Sequence, residues 1–219
     1  MTLILTTICK DGICVCADKR YKIIGSDGSI KFEDTHSKIY KFEKIPYIIL
    51  NHGINKIDGK DWRVYCSEYE NSDRWVGKDH SQIVSDFKEF IDESVKKELS
   101  RYKDNEKHAI GFLLGGKPTS ESNYKVSEIH WLLEKGEIKF TPPDVIHTRK
   151  KNNPIFTGDD IKAYLKKYVK SNGAQYLKMS RAQRVEKKLI SLFNLAVKKK
   201  QKPDTEDFSN EYDIEIIDG

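Results

Sequence analysis

Two short apolar runs, Leu3–Cys9 and Ile13–Ala17, stand on either side of Lys10-Asp11-Gly12, and they constrain the fold more than any other feature. Runs this short and this rich in β-branched residues read as strands, and a polar turn ending in Gly reads as a hairpin. The hairpin has a mostly buried register. Folding back at Gly12 sets its two ends, residues 2 and 18, side by side. Cys14 and Cys16 share one face of the second strand, since side chains alternate along a strand. With Cys9 and Cys66 they complete the four cysteines. No CxxC pair occurs, so the thiols read as small buried core residues rather than metal ligands.

The rest of the chain alternates between strand and helix patterns in blocks. Ile23-Ile24 and Ser29–Phe32 flank a turn at Ser26-Asp27-Gly28, and Lys38–Phe42 and Pro46–Leu50 form a further hairpin around Glu43-Lys44-Ile45. A short helix is expected around Trp62–Tyr69. Ile83, Phe87, Phe90, Ile91, Val95, Leu99 and Tyr102 recur at helical spacing over Ser81–Tyr102, with Asp79 or Ser81 as the cap. Strands return at His108–Leu114, Tyr124–Leu133 and Glu137–Phe140, the last stopped by Pro142-Pro143. Gly115-Gly116 reads as a turn and not a phosphate loop, since no Lys-Ser/Thr follows. Pro154–Phe156 is a short strand. A helix follows with Ile161, Tyr164, Leu165, Tyr168 and Val169 on one face, ended by Gly173. Ser180 and Gln183 form a capping box for the next helix, whose stripe is Val185, Leu189, Leu192, Phe193, Ala196 and Val197. Pro203 lies past its end and Tyr212–Ile217 is a last strand. Segregated elements in this order imply an α+β fold with helices layered on antiparallel sheets. Two sheets packed face to face between two helix layers, a four-layer αββα sandwich, would use every amphipathic face.

Composition sets the class. The 219 residues suit a single domain, residues 1–219, although the apolar share is only 37% against 33% charged. No run approaches the roughly 18 apolar residues a membrane span needs. Residues 1–30 lack the pattern of a secretory signal, so a cytoplasmic protein is expected. The net charge of +5 is a small surplus over many paired signs. The lysines near 166–170 and 198–202 read as a solvated face, with an anionic partner as the other reading; no nucleic-acid partner is expected. His80, His108, His130 and His147 lack ligand spacing, and no metal or cofactor is expected.

The chemistry concentrates at the start. Methionine aminopeptidase removes Met before a small residue, so Met1-Thr2 is expected to yield an N-terminal Thr2. Such a residue carries a hydroxyl nucleophile and an α-amine whose ordinary pKa, about 7.7–8.0, lets it accept a proton near neutrality. Hairpin geometry puts Asp18 beside it, either to orient a catalytic cation or as a solvated strand end. Lys38, opening the strand Lys38–Phe42, is the candidate cation, one of many lysines in a Lys-rich chain. Next to Thr2 and Asp18 its charge would favour the ionised hydroxyl.

Thr2 through Asp18, followed by Lys19-Arg20, resembles the opening of proteasome β-type subunits, which are N-terminal nucleophile (Ntn) hydrolases. Thr2, Gly12 and Asp18 hold the spacing of that family without a gap. Ser37-Lys38-Ile39, then Tyr47–Leu50 and Gly53, resemble its lysine strand and oxyanion glycine. Toward the other end, Ile155–Asp159, Ser180–Lys200 and Glu206–Asn210 resemble its later junction, helix and Asp-x-x-Ser segment. The resemblance implies the Ntn-hydrolase fold and a threonine-type peptidase. Thr2 would attack, Asp18 would pair with Lys38, the Gly53 N–H would stabilise the oxyanion, and Ser209 with Glu206 or Asp207 would support the α-amine. Tyr21, His36, Asn51 and His52 would line the substrate pocket. Extra residues between Asp18 and Lys38 make Lys31 a rival for the lysine role. The implied partners are a peptide or unfolded protein substrate, further copies in a homo-oligomeric ring, and a separate ATPase or activator. A non-catalytic ring subunit and an Ntn hydrolase of small amides are the alternative functions.

Overall fold

The computed structural model describes residues 2–24, 30–102, 107–118, 123–147, 155–156, 181–199 and 208–218. The chain divides into two compact units, residues 1–39 with 149–219, and residues 40–148.

The first unit is built on the N-terminal hairpin. β1 (Ile4–Ile8) and β2 (Gly12–Asp18) pair antiparallel from Ile8↔Ile13 to Ile4↔Ala17, and the Cys9 N–H closes the turn on the Gly12 carbonyl at 2.7 Å. β3 (Tyr21–Ile24) and β4 (Ile30–Glu33) make a separate two-stranded ribbon. β12 (Ile155–Phe156) adds to β1, and β13 (Tyr212–Asp218) adds to β2, giving the sheet order β12-β1-β2-β13. α3 (Ala182–Lys199) lies on one face of this sheet. Its stripe of Val185, Leu189, Leu192, Phe193 and Ala196 is fully buried with Leu3, Leu5, Cys14, Cys16 and Phe208. Cys14 and Cys16 therefore share a face and fill core, and burial pushes both thiols far above the usual range. The Ala182 N–H at the start of α3 donates to Asp11 Oδ1 at 2.9 Å, so the hairpin turn caps the helix.

The second unit holds a five-stranded antiparallel sheet in the order β11-β10-β9-β6-β5, from β5 (Ile39–Lys41), β6 (Tyr47–Gly53), β9 (His108–Gly116), β10 (Lys125–Glu134) and β11 (Glu137–His147). A two-stranded ribbon, β7 (Lys56–Ile57) with β8 (Lys60–Asp61), leads into α1 (Trp62–Asn71). α2 (His80–Leu99) starts with a full capping box between Asp79 and Gln82. Phe87 of α2 meets Phe112 of β9 edge to face at 5.5 Å, and the Trp131 indole N–H of β10 donates to Asp92 at 2.8 Å. Val126, Ile129 and Trp131 are buried as their alternation predicts.

Two local expectations are corrected. β11, an edge strand, runs on through Pro142-Pro143 to His147, and neither proline is a paired position: the ladder passes from His130↔Thr141 to Glu128↔Asp144 around them. Register shifts in its pairing with β10 accompany the prolines. Gly115-Gly116 is not a turn but completes β9, paired with Ile48 and Tyr47 on one side and Val126 and Lys125 on the other. The turn at 25–29, the junction at 157–160, the helix expected around Ile161–Val169 with Gly173, the lysines at 166–170 and 200–202, Ser180 and Pro203 lie outside the described residues. Among those described, no helix is long and apolar enough to cross a membrane. The chain is α+β, with helices packed on antiparallel sheets, as the segregated elements predict.

Candidate active site

The end of β2 carries the site. Asp18 is fully buried, and its carboxylate collects donors from three backbone segments. Leu3 N–H reaches Oδ1 at 2.8 Å, and the N–H groups of Arg20 and Ser209 reach Oδ2 at 3.0 and 3.2 Å. The β1–β2 register explains the first of these. Ile4 faces Ala17, so Leu3 faces Asp18 and Thr2 is next along the chain. The Asp18 N–H donates back to the Leu3 carbonyl at 3.0 Å.

Lys38 completes the carboxylate's shell. Its Nζ lies 3.0 Å from both Asp18 oxygens and donates to Thr2 Oγ1 at 3.3 Å. Only 3% of its side chain is exposed. Burial holds the amine below the usual lysine range; Asp18 and Asp34 pull it back up and Arg20 opposes them. A hydroxyl, a buried ammonium and a buried carboxylate thus stand in series, with the cation able to favour negative charge on the Thr2 oxygen. Lys31, the rival, is exposed and pairs with Glu33 at 2.8 Å.

The neighbouring residues brace this series. Tyr21 is buried, and its hydroxyl donates to the carbonyl of Ser37, the residue before Lys38, at 3.0 Å. Its ring stacks on His36 at 4.7 Å, and His36 Nε2 is 3.1 Å from Glu33 Oε2. Ser37 Oγ bonds the Ile39 backbone. Tyr21 and His36, expected to line a pocket, shape the segment that delivers Lys38. Ser209 is buried. Its N–H serves Asp18, and its Oγ accepts from the Glu211 N–H at 2.9 Å. Glu206 and Asp207 lie outside the described residues, as does Met1.

Gly53, Asn51 and His52 belong to the second unit. Gly53 has φ +83°, and a Cβ there would run into the Ala109 carbonyl, so only glycine suits the position. The Asn51 amide is buried and donates to the Ile54 and Gly111 carbonyls at 3.3 Å, which ties the end of β6 to β9. His52 Nε2 is 3.5 Å from Glu128 Oε1. Among the described residues no group of His, Cys, Asp or Glu is arranged to hold a metal ion.

Sequence reasoning did not single out Arg20 or Asp34. Arg20 sits two residues past Asp18, the spacing at which a backbone N–H returns to an Asp side chain. That was the available signal; Asp34 had none.

No family model matches the chain, and no curated protein matches it. Solved structures do. Anbu (ancestral beta-subunit) from Yersinia bercovieri superposes with a TM-score of 0.60 at 13% identity, covering 99% of this chain and 81% of that one. Anbu from Hyphomicrobium sp. strain MC1 gives 0.59 at 12%, covering 100% and 82%. The helical assembly of the Anbu complex from Pseudomonas aeruginosa gives 0.55 at 11%, covering 100% and 81%. At such identity the likeness shows the fold alone, a proteasome-like α+β fold. It also corrects the family resemblance. These neighbours are Anbu proteins, proteasome-like but of a different lineage from the proteasome β-type subunits that residues 2–53 resemble. The 2/12/18 spacing is what a hairpin needs for its ends to meet. It marks a fold and does not separate lineages that share it.

Proposed function

We propose that the chain is a threonine-type Ntn peptidase on a proteasome-like fold, active once the residue preceding Thr2 is removed. The observation that carries this reading is the buried Asp18–Lys38 pair with its ammonium directed at Thr2 Oγ1. A surface lysine would need no such burial. In this reading the two units act as one domain.

The steps follow from the groups at the site. The freed Thr2 α-amine, directly or through a water, takes the hydroxyl proton as Oγ1 bonds to a peptide carbonyl carbon. Lys38 stays charged beside the oxygen and lowers the energy of its ionised form, while Asp18 holds Lys38 in place. The α-ammonium then passes its proton to the leaving amine as the C–N bond breaks. Water cleaves the resulting ester and restores Thr2. Ser209 supports the site through its backbone N–H on Asp18. The substrate class is a peptide or unfolded protein. Self-association into a homo-oligomer is part of the proposal, since an Anbu neighbour is described as a helical assembly. A separate ATPase or activator would deliver folded substrates.

Native and denaturing mass spectrometry of the full chain with a hydroxyl-directed covalent peptidase inhibitor tests this. The expected result is an assembly of several copies, chains that begin at Thr2, and one adduct per chain that Thr2→Ala abolishes together with peptide hydrolysis. An unmodified Thr2 behind a retained methionine, or hydrolysis unchanged in Thr2→Ala, would overturn the reading.

A further inference from the structure

The Asp18–Lys38 pair has a neighbour. Arg20 Nε donates to Asp34 Oδ1 and its terminal nitrogen to Oδ2, both at 2.8 Å, a two-pronged guanidinium–carboxylate contact. The guanidinium also lies 5.5 Å from the Phe32 ring centre. Both side chains are partly buried. Arg20 and Asp18 come from one segment, the end of β2 and the residues after it. Asp34 and Lys38 come from another, the connection between β4 and β5. The two segments are therefore joined by two ion pairs of opposite sense. Along the first the charges run minus then plus. Along the second, Asp34 then Lys38, they also run minus then plus, but the pairing crosses, Asp18 with Lys38 and Arg20 with Asp34.

This arrangement does two things at Lys38. It fixes both segments, because the Arg20 backbone N–H is itself a donor to Asp18 while its side chain grips Asp34. It also surrounds the buried amine with charges of both signs: Asp18 and Asp34 favour the ammonium, and Arg20 opposes it. Among the described residues, Lys38 Nζ bonds to the two Asp18 oxygens and the Thr2 hydroxyl.

We propose that Arg20 and Asp34 are positioning residues, an outer ion pair that holds Lys38 on Thr2 and sets the pH range over which its amine stays charged. The proposal deepens the peptidase reading and rests on it for its catalytic meaning. The ion pair itself can be tested without any turnover.

The test follows the Lys38 ¹³Cε resonance with pH in the full chain labelled at lysine, assigned by its loss in Lys38→Met. Hydrolysis of an unfolded protein is measured in parallel. Asp34→Asn removes a negative charge near the amine, so the Lys38 midpoint falls by about half a pH unit or more. The alkaline limb of hydrolysis moves down with it. Arg20→Gln removes the opposing positive charge, so the midpoint rises. The double variant returns close to the parent, since the two charges cancel. Arg20→Lys keeps the charge and loses the two-pronged grip, so the midpoint stays and hydrolysis slows several-fold. A pair that is only a structural brace would lower the melting temperature in all four variants and leave the midpoint where it was, and that result overturns the proposal. If no hydrolysis is found in the parent while the midpoints move as stated, the peptidase reading fails and the ion-pair coupling stands.

Discussion

At the scale of single residues the site depends on one carboxylate with more donors than an isolated ion pair offers. Asp18 takes three backbone N–H groups as well as Lys38 Nζ. Removing either partner leaves the other buried, but the two losses are unequal. Without Lys38, Asp18 keeps its three N–H donors. Without Asp18, an ammonium and three N–H groups are stranded together. Asp18→Ala is therefore expected to cost about 3–5 kcal/mol, and Lys38→Met clearly less; urea unfolding of both variants checks this, and equal losses would contradict it. The meeting of Thr2 with Asp18 was legible in the sequence because a tight hairpin fixes which residues meet at its ends. The choice of Lys38 over Lys31 was not, since it depends on how residues 34–38 cross back to Asp18.

At the scale of elements, local signals placed the regular structure well where periodicity or caps are strong. The α2 stripe and its Asp79–Gln82 box are examples. They failed where context overrides propensity: Pro142-Pro143 passes through β11, an edge strand. The start of α3 also donates a bond to Asp11, far away in sequence. α2 also carries Asp86, which anchors the preceding loop through Arg74 and Lys78, both at 2.8 Å. Burial alone raises its carboxyl pKa, but bonds from Arg74, Lys78 and Tyr69 outweigh this and hold it at about 2. With the folded value depressed, the contribution is complete above the ordinary value of 3.8 and is lost as pH falls from there through about 2. Asp86→Asn should melt below the parent at pH 6, and the gap should close toward pH 2 in thermal scans. A gap that persists at pH 2 would mean the anchor is not ionic.

At the scale of the whole molecule, the first of the two units has a dense core on one face of its sheet. There, Phe193 of α3 is fully buried between Phe208, at 6.1 Å centre to centre, and Tyr212, at 4.9 Å. It packs in the cluster that also holds Leu3, which follows Thr2, and Cys16 of β2, two residues before Asp18. Phe193→Ala is expected to cost about 3–5 kcal/mol. Val197→Ala, at the edge of the same cluster, should cost markedly less, with denaturant midpoints as the measure. The composition, thin in apolar residues, gives no hint of this dense core, because the apolar residues present are concentrated at periodic positions.

The sequence by itself determined the hairpin, the amphipathic faces, the α+β class and the meeting of Thr2 with Asp18, because each follows from short-range periodicity and turn chemistry. Tertiary structure alone decided which lysine faces Thr2, which backbone N–H groups converge on Asp18, that Tyr21 holds the segment before Lys38, and that Arg20 grips Asp34. Those contacts join segments 14 to 191 residues apart. No local pattern encodes such a pairing, since it exists only once separate strands and connections have packed into one unit.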